Sequence, residues 1–273
     1  MSVAVVTGAR SDRGTVRENN EDSGYSGRRL ALVADGVGGN AAGEVASGLV
    51  IRTLQPLDDQ PVLGDPEVVL GDAVRRAQRA LSDHATAHPA TAGMATTLTA
   101  LLVTDHDLVL AHVGDSRAYL RPCGGELRQV TRDDTYVQLL VDAGHITGDQ
   151  AETHPMRHVI TGSLSANGST DAEGALALTR HPARAGDRWL LCSDGLSGVL
   201  SLETIAWVVD EEPASWPCAA RLVELALRAG ATDNVTAVVV DVVREGCVLP
   251  FPPRLVGAAG AAWTGPDPYD DVA

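Results

Sequence analysis

Hydrophobic positions along this chain follow two rhythms. Arg29 to Ala34, Met94 to Val103, Leu108 to Val113, Arg188 to Ser193 and Val235 to Val243 are short, almost wholly apolar runs, the signature of strands buried on both faces. Between them the apolar residues recur every three or four positions. Ala46, Leu49, Val50, Thr53 and Leu54 form one such stripe, and Leu70, Ala73, Val74, Ala77 and Leu81 another. The second stripe predicts a helix with Asp65 as its cap and Pro66 in its first turn. A further helix is predicted within Arg221 to Ala229, stopped by Gly230. Thr104 to Asp107 is a polar joint between two runs and reads as a hairpin. Two more short strands around Cys123-Gly124-Gly125 would continue it as a meander.

The rhythm loosens from Thr135 to about Ala172, where one short helix, Thr135 to Ala143, is followed by weakly patterned polar sequence. This reads as a surface flap over about 135–172. After Val243 come Pro-Phe-Pro-Pro, Gly-Ala repeats and an acidic end, the composition of a loose tail over 244–273. No internal repeat and no second core are evident, so residues 1–243 are expected to form one domain. Hairpin-spaced strands favour an α+β sandwich of antiparallel sheets covered by helices over a doubly wound sheet.

Composition narrows the chemistry. All 21 basic residues are arginine, which removes Walker-type phosphate loops, protein kinases and Schiff-base enzymes. The net charge of −15 argues against a nucleic-acid partner, which needs a basic face. Aromatics are 3% of residues, so the core must be Ala, Val and Leu. No apolar run reaches the length of a membrane span, and Met1 to Arg10 lacks the features of a secretory signal, so a cytoplasmic protein without membrane partners is expected. Cys123, Cys192, Cys218 and Cys247 form no CxxC pair and read as reduced thiols. The sixth residues after them, Gln129, Gly198, Glu224 and Pro253, are not arginine, so no cysteine-phosphatase loop is present.

One local pattern recurs: an apolar strand, a small residue, then aspartate before Gly or Ser. It occurs at Ala34-Asp35-Gly36, Gly114-Asp115-Ser116 and Ser193-Asp194-Gly195, and in mirror form at Asp233-Asn234 before the last strand. Any one is a common turn signal. Several carboxylates at strand ends, with Glu21-Asp22 added, would be costly unless a cation sat among them. Carboxylate oxygens suit Mg²⁺ or Mn²⁺, whereas zinc would want His or Cys.

These motifs carry a resemblance. Arg17-Glu18-Asn19-Asn20-Glu21-Asp22, Val33-Ala34-Asp35-Gly36-Val37-Gly38-Gly39, Gly93-Met94-Ala95-Thr96-Thr97, Val113-Gly114-Asp115-Ser116-Arg117, Leu191-Cys192-Ser193-Asp194-Gly195-Leu196 and Thr232-Asp233-Asn234-Val235-Thr236 follow the order of the metal-dependent protein phosphatases of the 2C (PPM) type, and the chain resembles a bacterial member. The resemblance implies a four-layer α-β-β-α sandwich with two central antiparallel sheets and a flap. It implies hydrolysis of phosphoserine and phosphothreonine in proteins by a hydroxide activated between two Mn²⁺ or Mg²⁺ ions. Asp35 would bridge the ions, the Gly36 carbonyl would bind one, and Asp194 and Asp233 would complete the other site. Glu21 and Asp22 would ligate directly or hold metal-bound water, Arg17 would clamp the phosphate, and Asp115 with Asp194 would take a third ion. Partners would be phosphoproteins and Ser/Thr protein kinases, with the chain a monomer.

The sequence departs from relatives at Val37, where many eukaryotic members carry His, leaving the general acid to metal-bound water. It departs again at Gly162-Ser163 in the flap. His112 reads as a packed strand residue rather than an acid, and Pro155 argues against His154 and His158 as a helical ligand pair. Asp105-His106-Asp107 superficially fits a covalent-aspartate phosphatase, but its setting is a hairpin, not a parallel sheet. Two other functions stand beside hydrolysis of phosphoproteins: a catalytically silent phosphatase-fold binding module, and a small-molecule phosphomonoesterase.

Overall fold

Strands apolar on both faces demand a layer on each side, and a computed structural model of the chain supplies them. It describes residues 2–37, 42–167, 176–246 and 252–260. The first half runs β1 (Val3–Asp12), β2 (Ser23–Ser26), β3 (Leu30–Ala34), β4 (Gly36–Val37), α1 (Gly43–Leu54), α2 (Pro66–Ala87), β5 (Ala95–Thr96), β6 (Leu98–Val103), β7 (Asp107–Val113), β8 (Arg117–Arg121) and β9 (Arg128–Gln129). The second runs α3 (Tyr136–Asp142), α4 (Gly148–Glu152), β10 (Leu164–Ser165), β11 (Ala177–Pro182), β12 (Arg188–Cys192), α5 (Asp194–Ser197), α6 (Leu202–Glu211), α7 (Ser215–Arg228), β13 (Val235–Arg244) and β14 (Arg254–Gly257). Among the described residues these build a six-stranded sheet, β11-β7-β6-β3-β2-β14, and a five-stranded sheet, β1-β13-β12-β8-β9. All pairings are antiparallel.

The two-residue period of a strand sorts side chains into layers. From β3, Leu30 and Leu32 face α1 and α2, where they meet Val50, Ile51, Leu70 and Val74. Their neighbours Ala31 and Val33 face the other sheet and pack with Trp189, Leu191, Val238 and Val240. On the far side of that sheet, Leu190, Cys192 and Val239 meet Ile205, Val208, Leu222 and Val223 of α6 and α7. Helix, sheet, sheet and helix are therefore stacked in four layers, as the resemblance implies. Each fully buried Val, Leu or Ile contributes about 1.5–3 kcal/mol, which is how a core nearly free of aromatics suffices.

Several elements follow the sequence closely. Asp65 caps α2, its carboxylate accepting from the Glu67 amide at 2.9 Å, with Pro66 in the first turn. Others do not. The predicted meander is broken: β6 and β7 form a hairpin in one sheet, but β8 pairs with β12 in the other. The chain changes sheets at Gly114–Ser116, where Gly114 takes φ +108°. Met94 to Val103 is two strands, since β5 belongs to a small sheet with β4 and β10. The loose stretch holds α4, with a Thr147–Gln150 capping box, as well as α3, and its residues 164–165 pair with β5. The end of that stretch, 168–172, lies outside the described residues, as do Gly38, Gly39, Cys247 and 261–273.

The loose-tail expectation is corrected for part of 244–273. Residues 254–257 form β14 on the edge of the six-stranded sheet, with Val256 and Ala259 buried. Pro and Gly suggested a linker, but a four-residue edge strand needs few apolar side chains once its partner β2 supplies the hydrogen bonds.

Candidate metal centre

Antiparallel register brings the acidic motifs together. Asp35 follows β3, Asp194 opens α5 just after β12, Asp115 lies beyond β7, Asp233 precedes β13 and Asp22 precedes β2. Ser23 pairs with Ala34 and Cys192 with Ala237, so these ends share one rim of the two sheets.

Asp22 is fully buried. Its Oδ2 accepts from the Ser193 hydroxyl at 2.7 Å, while Oδ1 has no hydrogen-bond partner. Desolvation pushes its pKa up to about 7; Thr236 and Ser193 oppose the rise, and Asp194 and Asp233 add to it. Asp115 is 7% exposed, its Oδ1 also has no partner, and burial with the charge of Asp194 raises it to about 7. Asp35 is held well above the usual carboxylate range by desolvation and then by Asp22, Asp194, Asp115 and Asp233. Asp194 is raised by desolvation and by Asp233, a rise partly relieved by a hydrogen bond with Asp35.

The scaffold around these groups is polar and specific. The Thr97 hydroxyl accepts from the Asp35 amide at 3.0 Å, and the Asp35 carbonyl accepts from the Thr97 amide at 2.9 Å. A Cβ on Gly36 would lie 2.4 Å from the Gly43 carbonyl oxygen and 2.7 Å from that of Glu21, so only glycine fits. The Glu21 carbonyl accepts from the Gly36 amide at 3.2 Å and the Ser47 hydroxyl at 2.5 Å. The Glu21 carboxylate lies near Gly43, where an added Cβ would fall 2.7 Å from Oε2. Asn234 is the hub of this scaffold. Its Oδ1 accepts from the Glu21 amide at 2.7 Å, and its Nδ2 donates to the Arg13 and Asn19 carbonyls. An Asn beside the acidic motif was visible in the sequence, but its long-range partners were not.

Arg17 stands at the mouth, half-exposed. Its Nη2 donates to Asp233 Oδ2 at 2.8 Å, and Asp233, Glu21 and Asp35 together strengthen its hold on its proton. Arg117 is occupied elsewhere, bidentate to Asp133 at 2.7–3.1 Å. His112 is buried between the Thr99 hydroxyl and the Arg132 carbonyl, and desolvation lowers its pKa, as suits a packed strand residue. His154 accepts from the Met156 amide. The Asp105-His106-Asp107 turn lies in the β6–β7 hairpin, away from any parallel sheet.

The structure thus brings Asp22, Asp35, Asp115, Asp194 and Asp233 into mutual electrostatic contact, with Glu21 and Arg17 beside them. Among the described residues no three His, Cys, Asp or Glu side chains are drawn into a closed ligand cage. The donor set still fits a hard divalent cation: every side chain is a carboxylate, two buried oxygens have no partner, and burial with neighbouring like charge opposes ionisation of Asp22, Asp35, Asp115 and Asp194.

Comparison with known proteins agrees. The protein phosphatase 2C family profile matches residues 9–238. The serine/threonine protein phosphatase PstP of Mycobacterium tuberculosis is 53% identical over 235 residues, 86% of this chain but 44% of that protein, so the chain spans less than half its length. The serine/threonine phosphatase stp of Listeria monocytogenes is 30% identical over 241 residues, covering 85% of this chain and 94% of that one. A crystal structure of PstP superposes with a TM-score of 0.82 at 49% identity, covering 89% of this chain and all of the other. The PstP catalytic domain solved with two manganese ions gives a TM-score of 0.80 with the same identity and coverage. Fold, rim and sequence agree, and the chain belongs to the protein phosphatase 2C family.

Proposed function

We propose that this chain hydrolyses phosphoserine and phosphothreonine in proteins and depends on Mn²⁺ or Mg²⁺. The observation that carries the reading is the gathering of five aspartates at one rim, two of them with unpartnered buried oxygens, under a half-exposed arginine. Asp35, Asp194, Asp233 and the Gly36 carbonyl would hold two ions. Glu21 and Asp22 would complete their surroundings, and Asp115 with Asp194 would offer a third position. Bound cations supply Lewis acidity and nucleophilic water at neutral pH.

The protein's own groups do the rest. Arg17 commits Nη2 to Asp233, leaving its other donors to orient a phosphoryl oxygen at the mouth. The Ser193 hydroxyl orients Asp22, and Thr97 fixes the backbone of Asp35. Burial pushes the Cys192 and Cys218 thiols up to about 12, which leaves them poor nucleophiles and favours direct hydrolysis over a cysteinyl intermediate.

The manganese of the PstP structure and the phosphatase names of the relatives support this reading. Phosphoproteins and the kinases that modify them are the proposed partners, with residues 1–243 as the catalytic domain carrying the flap and the chain acting as a cytoplasmic monomer. Among the described residues no helix is long and apolar enough to cross a membrane. The test is turnover of a phosphothreonine peptide and an aryl phosphate with Mn²⁺, with and without chelator. Activity is expected to vanish on chelation and to fall steeply in Asp194→Ala; activity that survives chelation and is undiminished in that variant would refute the reading.

A further inference from the structure

The family profile ends at residue 238, yet the chain returns to the acidic rim well beyond it. β14 pairs with β2 in the register Gly257↔Ser23, Val256↔Gly24, Leu255↔Tyr25 and Arg254↔Ser26. Past the strand, the Ala258 amide donates to the Asp22 carbonyl at 2.7 Å. The Ala259 amide donates to the Ser23 hydroxyl at 3.0 Å. The Ser23 hydroxyl is also 2.9 Å from that of Ser47, which donates to the Glu21 carbonyl. Asp22 and Ser23 are therefore tied directly to residues 258–259, and Glu21 is tied to them through the Ser23 and Ser47 hydroxyls.

The fit is close enough to be sequence-specific. Gly257 takes φ +68°, and a Cβ there would lie 2.2 Å from the Asp22 carbonyl oxygen. A Cβ on Gly24 would meet the Val256 side chain at 2.8 Å. Val256 packs between the sheets, Ala259 joins the helix-side core, and Leu255 packs against that same core. Apolar contacts seat the segment; the amides at 258 and 259 fix what it touches.

We infer that residues 252–260 are a C-terminal strap that positions Asp22 in the acidic centre, so that the centre's hold on divalent cations depends on a segment outside the span that the family profile matches. The inference deepens the proposed function and rests on its metal reading. Ala258 is a positioning residue: it acts on the carboxylate of Asp22 only through that residue's main chain. Loss of groups that orient metal ligands commonly weakens metal binding about 10–100-fold.

The test compares the full chain, a chain ending at Gly246, Ala258→Pro (which removes the donor to Asp22) and Leu255→Ala (which trims the seat but keeps both amides). Mn²⁺ binding is read by calorimetry, and amide hydrogen exchange over 21–25 is read without metal. The truncation and Ala258→Pro are expected to weaken Mn²⁺ binding roughly tenfold and to speed exchange. Leu255→Ala is expected to lower the melting temperature while leaving affinity within about twofold. Full-length affinity and exchange in the truncated chain would overturn the strap. A full chain that binds no Mn²⁺ would overturn the metal reading instead, and faster exchange confined to the truncation and Ala258→Pro would then still uphold the strap as what positions Asp22.

Discussion

Asp22 and Asp58 are both buried aspartates, 0% and 3% exposed, and they have opposite surroundings. Asp58 accepts from the Tyr25 hydroxyl and from the amides of Arg28, Arg29 and Leu30 at 2.8–3.0 Å. Both its oxygens are used, and its work is to close the β2–β3 turn. Asp22 has one oxygen unpartnered and sits among like charges. Burial does not separate a structural carboxylate from a candidate metal ligand; its hydrogen bonds do.

The sharpest break of that contrast lies on the acidic side. Asp194→Ala should lower turnover of a phosphopeptide by roughly 10²–10³-fold, the scale of losing one preorganised electrostatic group, while thermal unfolding without metal is unchanged or improved because a repelling charge is gone. Arg17→Ala should raise KM for the phosphopeptide and lower kcat/KM about tenfold or more, with Arg17→Lys a poor rescue because a point charge lacks the planar fork. Steady-state kinetics of the three chains decide both.

Asp58→Ala should do the reverse. It strands three amides and a phenol, costing about 1–3 kcal/mol or more of stability, with kcat per folded molecule preserved. Denaturant melts beside active-site titration would show it.

A smaller effect concerns pH. The folded-state pKa values of Asp22 and Asp115 are raised to about 7, so the metal-free folded chain binds protons that the unfolded chain has released. Their contribution to stability is present below the unfolded value near 4 and is lost as pH climbs through 7. Melting temperature without metal should therefore fall between about pH 5 and 8, and Mn²⁺ should recover most at the alkaline end. Asp22→Asn should flatten the profile; an unchanged slope in that variant would remove Asp22 from the account.

Much of this was legible in the sequence where local pattern and tertiary role coincide. Asp-Gly after an apolar run marks a strand end, and strand ends on one rim are where charges converge. The Asp65-Pro66 cap carries its own chemistry. Long-range partners were not legible. β1 reads as half apolar because only its middle is buried, and Gly8 is explained only by the α7 backbone that a Cβ would meet at 2.3 Å from Trp216 N. Asn234, Ser193 and Thr97 are single polar residues with no periodic signal, yet they hold the rim. β14 was hidden by Pro and Gly that belong to its approach and to one left-handed turn, not to a linker.

The most direct measurement is calorimetric titration of the full chain with Mn²⁺ near neutral pH in two buffers of different ionisation enthalpy. About two ions are expected to bind per chain with proton release, since cations must displace protons from carboxyls that repel one another. No binding at millimolar Mn²⁺ would contradict it.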